Sequence, residues 1–160
     1  MDTLIKKAVE LRDKGCHQES RALLESLLTS KVYAAQAHLH IAWSYDNEGN
    51  EQQAIQHYLA SLDGELTNID RFDALFGLAS TYRSLGVYDT ALAYFEQILK
   101  EYPDSIEVKP FYAICLYNVG RHKEATSLLL NLLLLTTNSD AIKQYQRAIE
   151  LYAKDLDKTW

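Results

Sequence analysis

Five histidines and 22 acidic residues are the side chains of this sequence that could transfer protons or bind metal ions. His38 and His40 are close together, but residues two apart on a helix point about 200° away from each other. They cannot share a metal ion as an i, i+4 pair does. His57 is expected on the outer side of a second helix. The sequence therefore predicts no metal site.

The most enzyme-like arrangement is His40, Trp43 and Asp46, which a helix would place along one face. The sequence has no Ser or Cys nucleophile motif and no glycine-rich phosphate loop to accompany them. We therefore expect neither catalysis nor a cofactor, and a small-molecule enzyme is only the third of the functions considered below.

Four glycines mark the elements that must position these residues. Gly15, Gly49, Gly86 and Gly120 follow one another at spacings of 34, 37 and 34 residues, and each closes one helix-like stretch and opens another. A period near 34 residues is typical of arrays of stacked helix pairs. The longer middle spacing indicates a loop over residues 63–67, with Thr67 and Asp70 as a capping box for the next helix.

Placing each glycine at the fifteenth position of a repeat divides the chain, which we expect to be one domain over residues 1–160. The predicted repeats span about residues 1–34, 35–71, 72–105 and 106–139, and an amphipathic capping helix follows at about 140–156. Small residues, where two helices cross closely, then recur at repeat positions eight and twenty. They are Ala8, Ala42, Ala79 and Ala113, and Ser20, Ala54, Ala91 and Ala125.

Four runs of sequence, at residues 42–46, 77–86, 116–120 and 152–160, carry a resemblance to a known family. They resemble the bacterial proteins called tetratricopeptide repeat group 5, and the resemblance covers essentially the whole chain. It implies an all-α fold, a right-handed α-solenoid of four helix-turn-helix repeats plus a C-terminal capping helix. It also implies a cytoplasmic bacterial setting, and it carries no established activity.

Composition narrows the possible partners. The net charge is -6, and Lys and Arg are not clustered, which argues against a nucleic-acid or acidic-membrane partner. Residues 1–7 lack the apolar stretch of a secretory signal, and the leucine-rich run 128–135 is far shorter than the roughly 20 residues of a membrane helix. We expect a cytoplasmic protein with no membrane partner. Cys16 and Cys115 lie in different repeats and are expected as free thiols.

The resemblance also implies a binding surface, because one stripe of the first helix of each repeat lines the concave face of a tetratricopeptide array. Trp43 and Arg83 are the expected hot spot for a protein or peptide partner. The alternative is that Trp43 and Phe76 only fill the junctions between repeats. The candidate partner-binding residues are Leu39, His40, Trp43, Asp46, Asn47, Phe76, Ser80, Arg83, Phe111, Ile114, Tyr117 and Asn118.

Two interaction roles remain open. The first is a non-catalytic scaffold that binds a protein or peptide. The second is a homo-oligomeric structural or assembly protein, since the helix over residues 125–135 is apolar nearly all round and needs cover on more than one side. The C-terminal helix can supply that cover, and any apolar surface left over would favour a homodimer.

Overall fold

The computed structural model describes residues 3–160, and over that range the chain folds into α-helices joined by short loops, with no β-strand. The all-α fold class is therefore confirmed. One 3₁₀ helix, Ile106–Val108, precedes α7. The helices are α1 (Thr3–Asp13), α2 (His17–Glu25), α3 (Ala34–Asn47), α4 (Glu51–Leu62), α5 (Asn68–Ser84), α6 (Tyr88–Glu101), α7 (Lys109–Asn118), α8 (His122–Thr136), α9 (Asp140–Lys143) and α10 (Gln146–Lys154).

The four periodic glycines end α1, α3, α5 and α7. Each has a positive φ, between 72° and 84°, which an L side chain rarely adopts. After each glycine, the next backbone N–H donates to the carbonyl five residues earlier, as from Cys16 to Leu11 and from Arg121 to Leu116, both at 2.9 Å. This is the Schellman arrangement, which stops a helix and turns the chain. The regular spacing of glycine therefore sets the regular spacing of helix ends.

Two compact units make up the chain, Met1–Tyr94 and Phe95–Trp160, and the boundary falls inside α6. In the first unit, two clusters of buried side chains form the core. One joins α1, α2 and α3, and the other joins α3, α4 and α5. Thr67 caps α5, because its Oγ1 accepts a hydrogen bond from Asp70 N at 3.1 Å.

Small residues are buried where the sequence places them, since all eight residues at repeat positions eight and twenty are at most 6% exposed. Ser20 is the one polar member of this set. Its hydroxyl donates to the carbonyl of Ala8 at 2.7 Å, so the buried oxygen is satisfied across the α1–α2 contact.

In the second unit, α10 packs against α8. Ala153 is 3% exposed, and Ser127 Oγ donates to its carbonyl at 2.5 Å. The single helix expected over about 140–156 is instead two short helices, because the chain leaves helical geometry at Tyr145, with φ -102° and ψ 12°. The C-terminal segment therefore covers α8 mainly through α10.

Candidate partner-binding surface

Two of the candidate residues on α3 lie inside the first unit. Leu39 has no exposed surface and packs among Ala42, Tyr58 and Leu78 in a core cluster. His40 is 8% exposed. Leu39 therefore has no accessible surface for a partner in this structure, and His40 has little.

Trp43 is half-buried and is held by Arg12 of α1 and by His40. The Arg12 guanidinium lies 5.3 Å from the Trp43 ring centroid, and the His40 ring meets it edge-on at 5.0 Å. Burial, together with the neighbouring Arg12 charge, lowers the pKa of His40 to about 4. His40 is therefore neutral at pH 7, and its Nδ1 can accept the hydrogen bond from Arg12 Nη1 at 3.4 Å. Arg12 and His40 thus cover part of the indole.

Asp46 makes its contacts within the first unit. Its carboxylate accepts hydrogen bonds from the Tyr58 hydroxyl at 2.5 Å and from Thr81 Oγ1 at 3.1 Å. Burial raises the pKa of Asp46 although both hydrogen bonds act in the opposite direction. The enzyme-like set of His40, Trp43 and Asp46 is therefore not one site, because His40 bonds Arg12 while Asp46 joins α3 to α4 and α5.

The remaining candidates of the first unit are more accessible. Asn47 is exposed at the end of α3, and Phe76, Ser80 and Arg83 are half-buried on α5. The Phe76 ring lies 5.9 Å from that of Phe72, at an angle of 51°.

In the second unit, α7 carries the most exposed candidates. Phe111, Ile114 and Tyr117 are 44%, 42% and 62% exposed. Their spacing of three residues places them along one face of the helix. The Tyr117 ring contacts His122 at 4.8 Å, and Asn118 is half-buried beside it. We refer to Phe111, Ile114 and Tyr117 as the α7 stripe.

The helix that carries the α7 stripe begins directly after the 3₁₀ helix. Pro110 lies in the first turn of α7, where its missing N–H would have no partner within the helix. The opposite face of α7 is buried through Ala113, Cys115 and Leu116. The stripe therefore lies on a helix whose opposite face is buried.

An open groove of about 460 Å³ lies between α7, α8 and the end of α10. Its apolar wall includes Leu116, Leu128 and Leu156. Lys123 and Glu124 at its edge are paired with Asp157 and Arg121. The groove therefore offers apolar surface without a strong charge preference.

Two polar clusters of the first unit did not emerge from the sequence. Arg21 is buried, donates to Ser44 Oγ at 2.9 Å and Glu48 Oε2 at 2.5 Å, and stacks 4.2 Å from the centre of the Tyr45 ring. His57, expected on the outer side of its helix, lies half-buried against His38. His38 and His57 lie on different helices, so no spacing within one helix points to their contact.

Cys16 and Cys115 are free thiols, as expected. Over residues 3–160, no group of three or more His, Cys, Asp or Glu side chains could hold a metal ion. None of the helices in this range has both the length and the apolar character needed to cross a membrane.

Comparison with solved structures shows the same fold in MamA. A crystal structure of MamA protein is similar at a TM-score of 0.70 and 18% sequence identity, and the match covers 99% of this chain and 77% of that chain. A structure of MamA AMB-1 is similar at a TM-score of 0.68 and 20% identity, and the match covers 94% of this chain and 84% of that chain. A structure of a MamA mutant is similar at a TM-score of 0.60 and 17% identity, and the match covers 96% of this chain and 95% of that chain.

No protein of curated function matches the sequence. A family model described as tetratrico peptide repeat matches residues 35–156, which is most of the chain. This match confirms the resemblance drawn from the sequence runs, and the glycine-ended helix pairs of the structure agree with it. The chain belongs to the tetratricopeptide repeat family.

Proposed function

We propose that the protein is a non-catalytic scaffold that binds a protein or peptide through the α7 stripe. The observation that carries this proposal is the exposure of Phe111, Ile114 and Tyr117, at 44%, 42% and 62%, along one face of a packed helix. Large apolar side chains grouped in this way on an accessible surface are typical of interaction sites. Tyrosine in particular is enriched among residues that dominate binding energy.

The family supports the same function, since stacked tetratricopeptide repeats expose extended surfaces for binding. The stripe occupies repeat positions that the resemblance predicts to line such a surface. Asn118 lies directly after Tyr117 and adds a hydrogen-bonding side chain beside the apolar stripe. A partner with apolar side chains flanked by backbone or amide groups would match this surface.

In the first unit, fewer residues are proposed to contact the partner than the sequence predicted. Trp43 and Arg83 remain candidates, together with Asn47, Phe76 and Ser80. Leu39, His40 and Asp46 are proposed to stabilise the surface and not to contact the partner. Their side chains are buried or hydrogen-bonded within the unit. Arg12, which lies over Trp43, would have to be part of any contact made there.

A homo-oligomeric role is the second candidate, and one observation favours it. Leu129, Leu133 and Leu135 of α8 are 43%, 39% and 64% exposed although α10 packs on the same helix. This is the leftover apolar surface that would favour a homodimer. Light scattering of the purified protein over a concentration series tests this role separately from partner binding.

Affinity capture with matched variants tests the proposed scaffold. Wild type, Tyr117→Ala and Ile114→Ala are compared with Val32→Ala, which truncates an apolar side chain that is 74% exposed in the first unit. We expect wild type and Val32→Ala to retain the same proteins from the native cell, and the two stripe variants to lose them. Equal retention by all four proteins would contradict the proposal.

A further inference from the structure

Glu107 lies in line with the α7 stripe. It belongs to the 3₁₀ helix Ile106–Val108, which runs directly into α7, and it precedes Phe111 by four residues. Residues four apart on a helix share one face, with their Cβ atoms about 5–6 Å apart. The Glu107 side chain is exposed. The stripe therefore continues at its N-terminal end into an accessible carboxylate.

The charged side chains near the two ends of the stripe differ in whether they are paired. After Tyr117, the cations Arg121 and Lys123 are each paired with a carboxylate. Among residues 3–160, Glu107 takes part in no ion pair. The unpaired charge at the stripe is therefore negative and lies at the end that begins with Phe111.

Negative charge is concentrated in the middle of the sequence. Residues 46–107 contain twelve of the 22 acidic residues and only three of the 16 basic ones, and Glu107 is the last of the twelve. An excess of negative charge attracts a basic partner and speeds its association. Charge complementarity therefore favours a basic group on the part of the partner that meets Glu107.

A carboxylate also precedes a phenylalanine by one helical turn in the first unit. Asp73 of α5 occupies the second position of its repeat, as Glu107 does, and Phe76 follows it by three residues. A ring beside a carboxylate suits a Lys or Arg side chain, whose apolar stem packs on the ring while its charged head reaches the carboxylate. The same combination in two repeats therefore indicates recognition of basic side chains.

The length of the stripe limits the segment that can lie along it. Glu107 and Tyr117 are ten residues apart, which is about 15 Å at about 1.5 Å per helical residue. An extended peptide covers this distance with about five residues, since each adds about 3.3 Å. A short segment can therefore contact the carboxylate and the whole stripe at once.

We propose that the partner of the α7 stripe presents a basic segment of about five residues. A Lys or Arg at one end of the segment pairs with Glu107, and apolar side chains pack on Phe111, Ile114 and Tyr117. This inference rests on the proposed function, because it assigns the chemistry of the partner that the stripe binds. Glu107 then determines specificity by requiring a cation at one end of an otherwise apolar segment.

Peptide selection on the full chain tests this proposal. Random peptides of about ten residues, long enough to include the segment, are selected on wild type and depleted on Tyr117→Ala, so that the retained peptides depend on the stripe. We expect these peptides to be enriched in Lys or Arg close to apolar residues. If no peptide depends on Tyr117, the proposed function fails and this inference fails with it. Stripe-dependent peptides without Lys or Arg would overturn this inference alone.

The affinity of one selected peptide, measured by fluorescence anisotropy, tests the role of Glu107. Glu107→Gln should weaken binding about two- to fivefold, as expected for an exposed ion pair, and Glu107→Lys by about tenfold or more. Asp140→Asn removes an exposed carboxylate from the first turn of α9 and should leave the affinity unchanged.

A charge swap removes any dependence on how the variants fold. Replacing the Lys or Arg of the peptide by Glu should restore binding to Glu107→Lys, because the opposite charges are then exchanged between the two partners. Equal affinities of wild type and Glu107→Gln, or no restoration by the swapped peptide, would overturn the proposed pairing.

Discussion

The hydroxyl of Tyr58 reaches the carboxylate of Asp46, at 2.5 Å, by passing over a residue of α5 that has no side chain. That residue is Gly77, where an added Cβ would lie 2.5 Å from Tyr58 Cζ. Thr81, one turn further along α5, donates to the same carboxylate. The absence of one methyl group therefore permits a hydrogen-bond network that joins three helices.

Gly77→Ala should destabilise the protein by about 2 kcal/mol, although alanine favours a helix more than glycine does by up to about 1 kcal/mol. The Tyr58 ring would have to move, and the half-buried Asp46 would lose a donor. Urea unfolding measures the change in free energy. Ser80→Ala on the same helix is the control and should stay within about 0.5 kcal/mol of wild type. An unchanged or increased stability of Gly77→Ala would contradict the close contact.

One buried and two half-buried histidines should make the first unit sensitive to acid. Burial lowers the pKa of His40 and His57 from 6.5 to about 4 and also lowers that of His38. Below pH 6.5 the unfolded chain therefore binds protons that the folded chain does not. Stability is complete above pH 6.5 and is lost as the pH falls towards 4.

The nearly buried His40 alone should account for roughly 2 kcal/mol of this loss. The raised pKa values of Asp46 and Asp73 act in the opposite direction, since the folded state keeps those protons at higher pH. Urea unfolding at a series of pH values measures the slope. His40→Gln should flatten it, whereas His122→Gln should not. A wild-type slope that is flat between pH 6.5 and 4 would contradict the assignment.

Glycine spacing and the burial of small residues could be predicted from the sequence because they depend on local backbone geometry and on pairs of adjacent helices. The burial of Leu39 and the hydrogen bonds of Asp46 could not be predicted from the sequence. Helical periodicity assigns both to one face, but the structure buries Leu39 beneath Tyr58 and bonds Asp46 to Tyr58 and Thr81. Whether a residue on one face of a helix is exposed depends on how far the side chains of neighbouring helices extend over it.

The pairing of His38 with His57 escaped prediction for a related reason. The two residues are 19 apart, so no motif within a single helix joins them. Their contact depends on how α4 packs against α3, where the Tyr45 ring of α3 also stacks on His57. The α7 stripe, in contrast, has a three-residue spacing that is visible in the sequence, and all three of its side chains are exposed.

The contact between α10 and α8 should be essential for stability. Ala153→Glu would force a charged side chain into a position that is 3% exposed, so we expect a loss of at least about 2 kcal/mol. Ala141→Glu, at an exposed position of α9, is the matched control and should melt like wild type. Thermal unfolding followed by circular dichroism compares them. Identical melting of the two variants would show that α10 does not stabilise α8.

Site-specific photocrosslinking tests the α7 stripe most directly. A benzophenone amino acid replaces Tyr117 in one variant and Val32 in another, and both proteins are illuminated in the native cell. Both positions are exposed, at 62% and 74%, so access to the probe is comparable. The scaffold account predicts a discrete adduct with another protein from position 117 and none from position 32. No adduct at 117, or the same adducts at both positions, would contradict it.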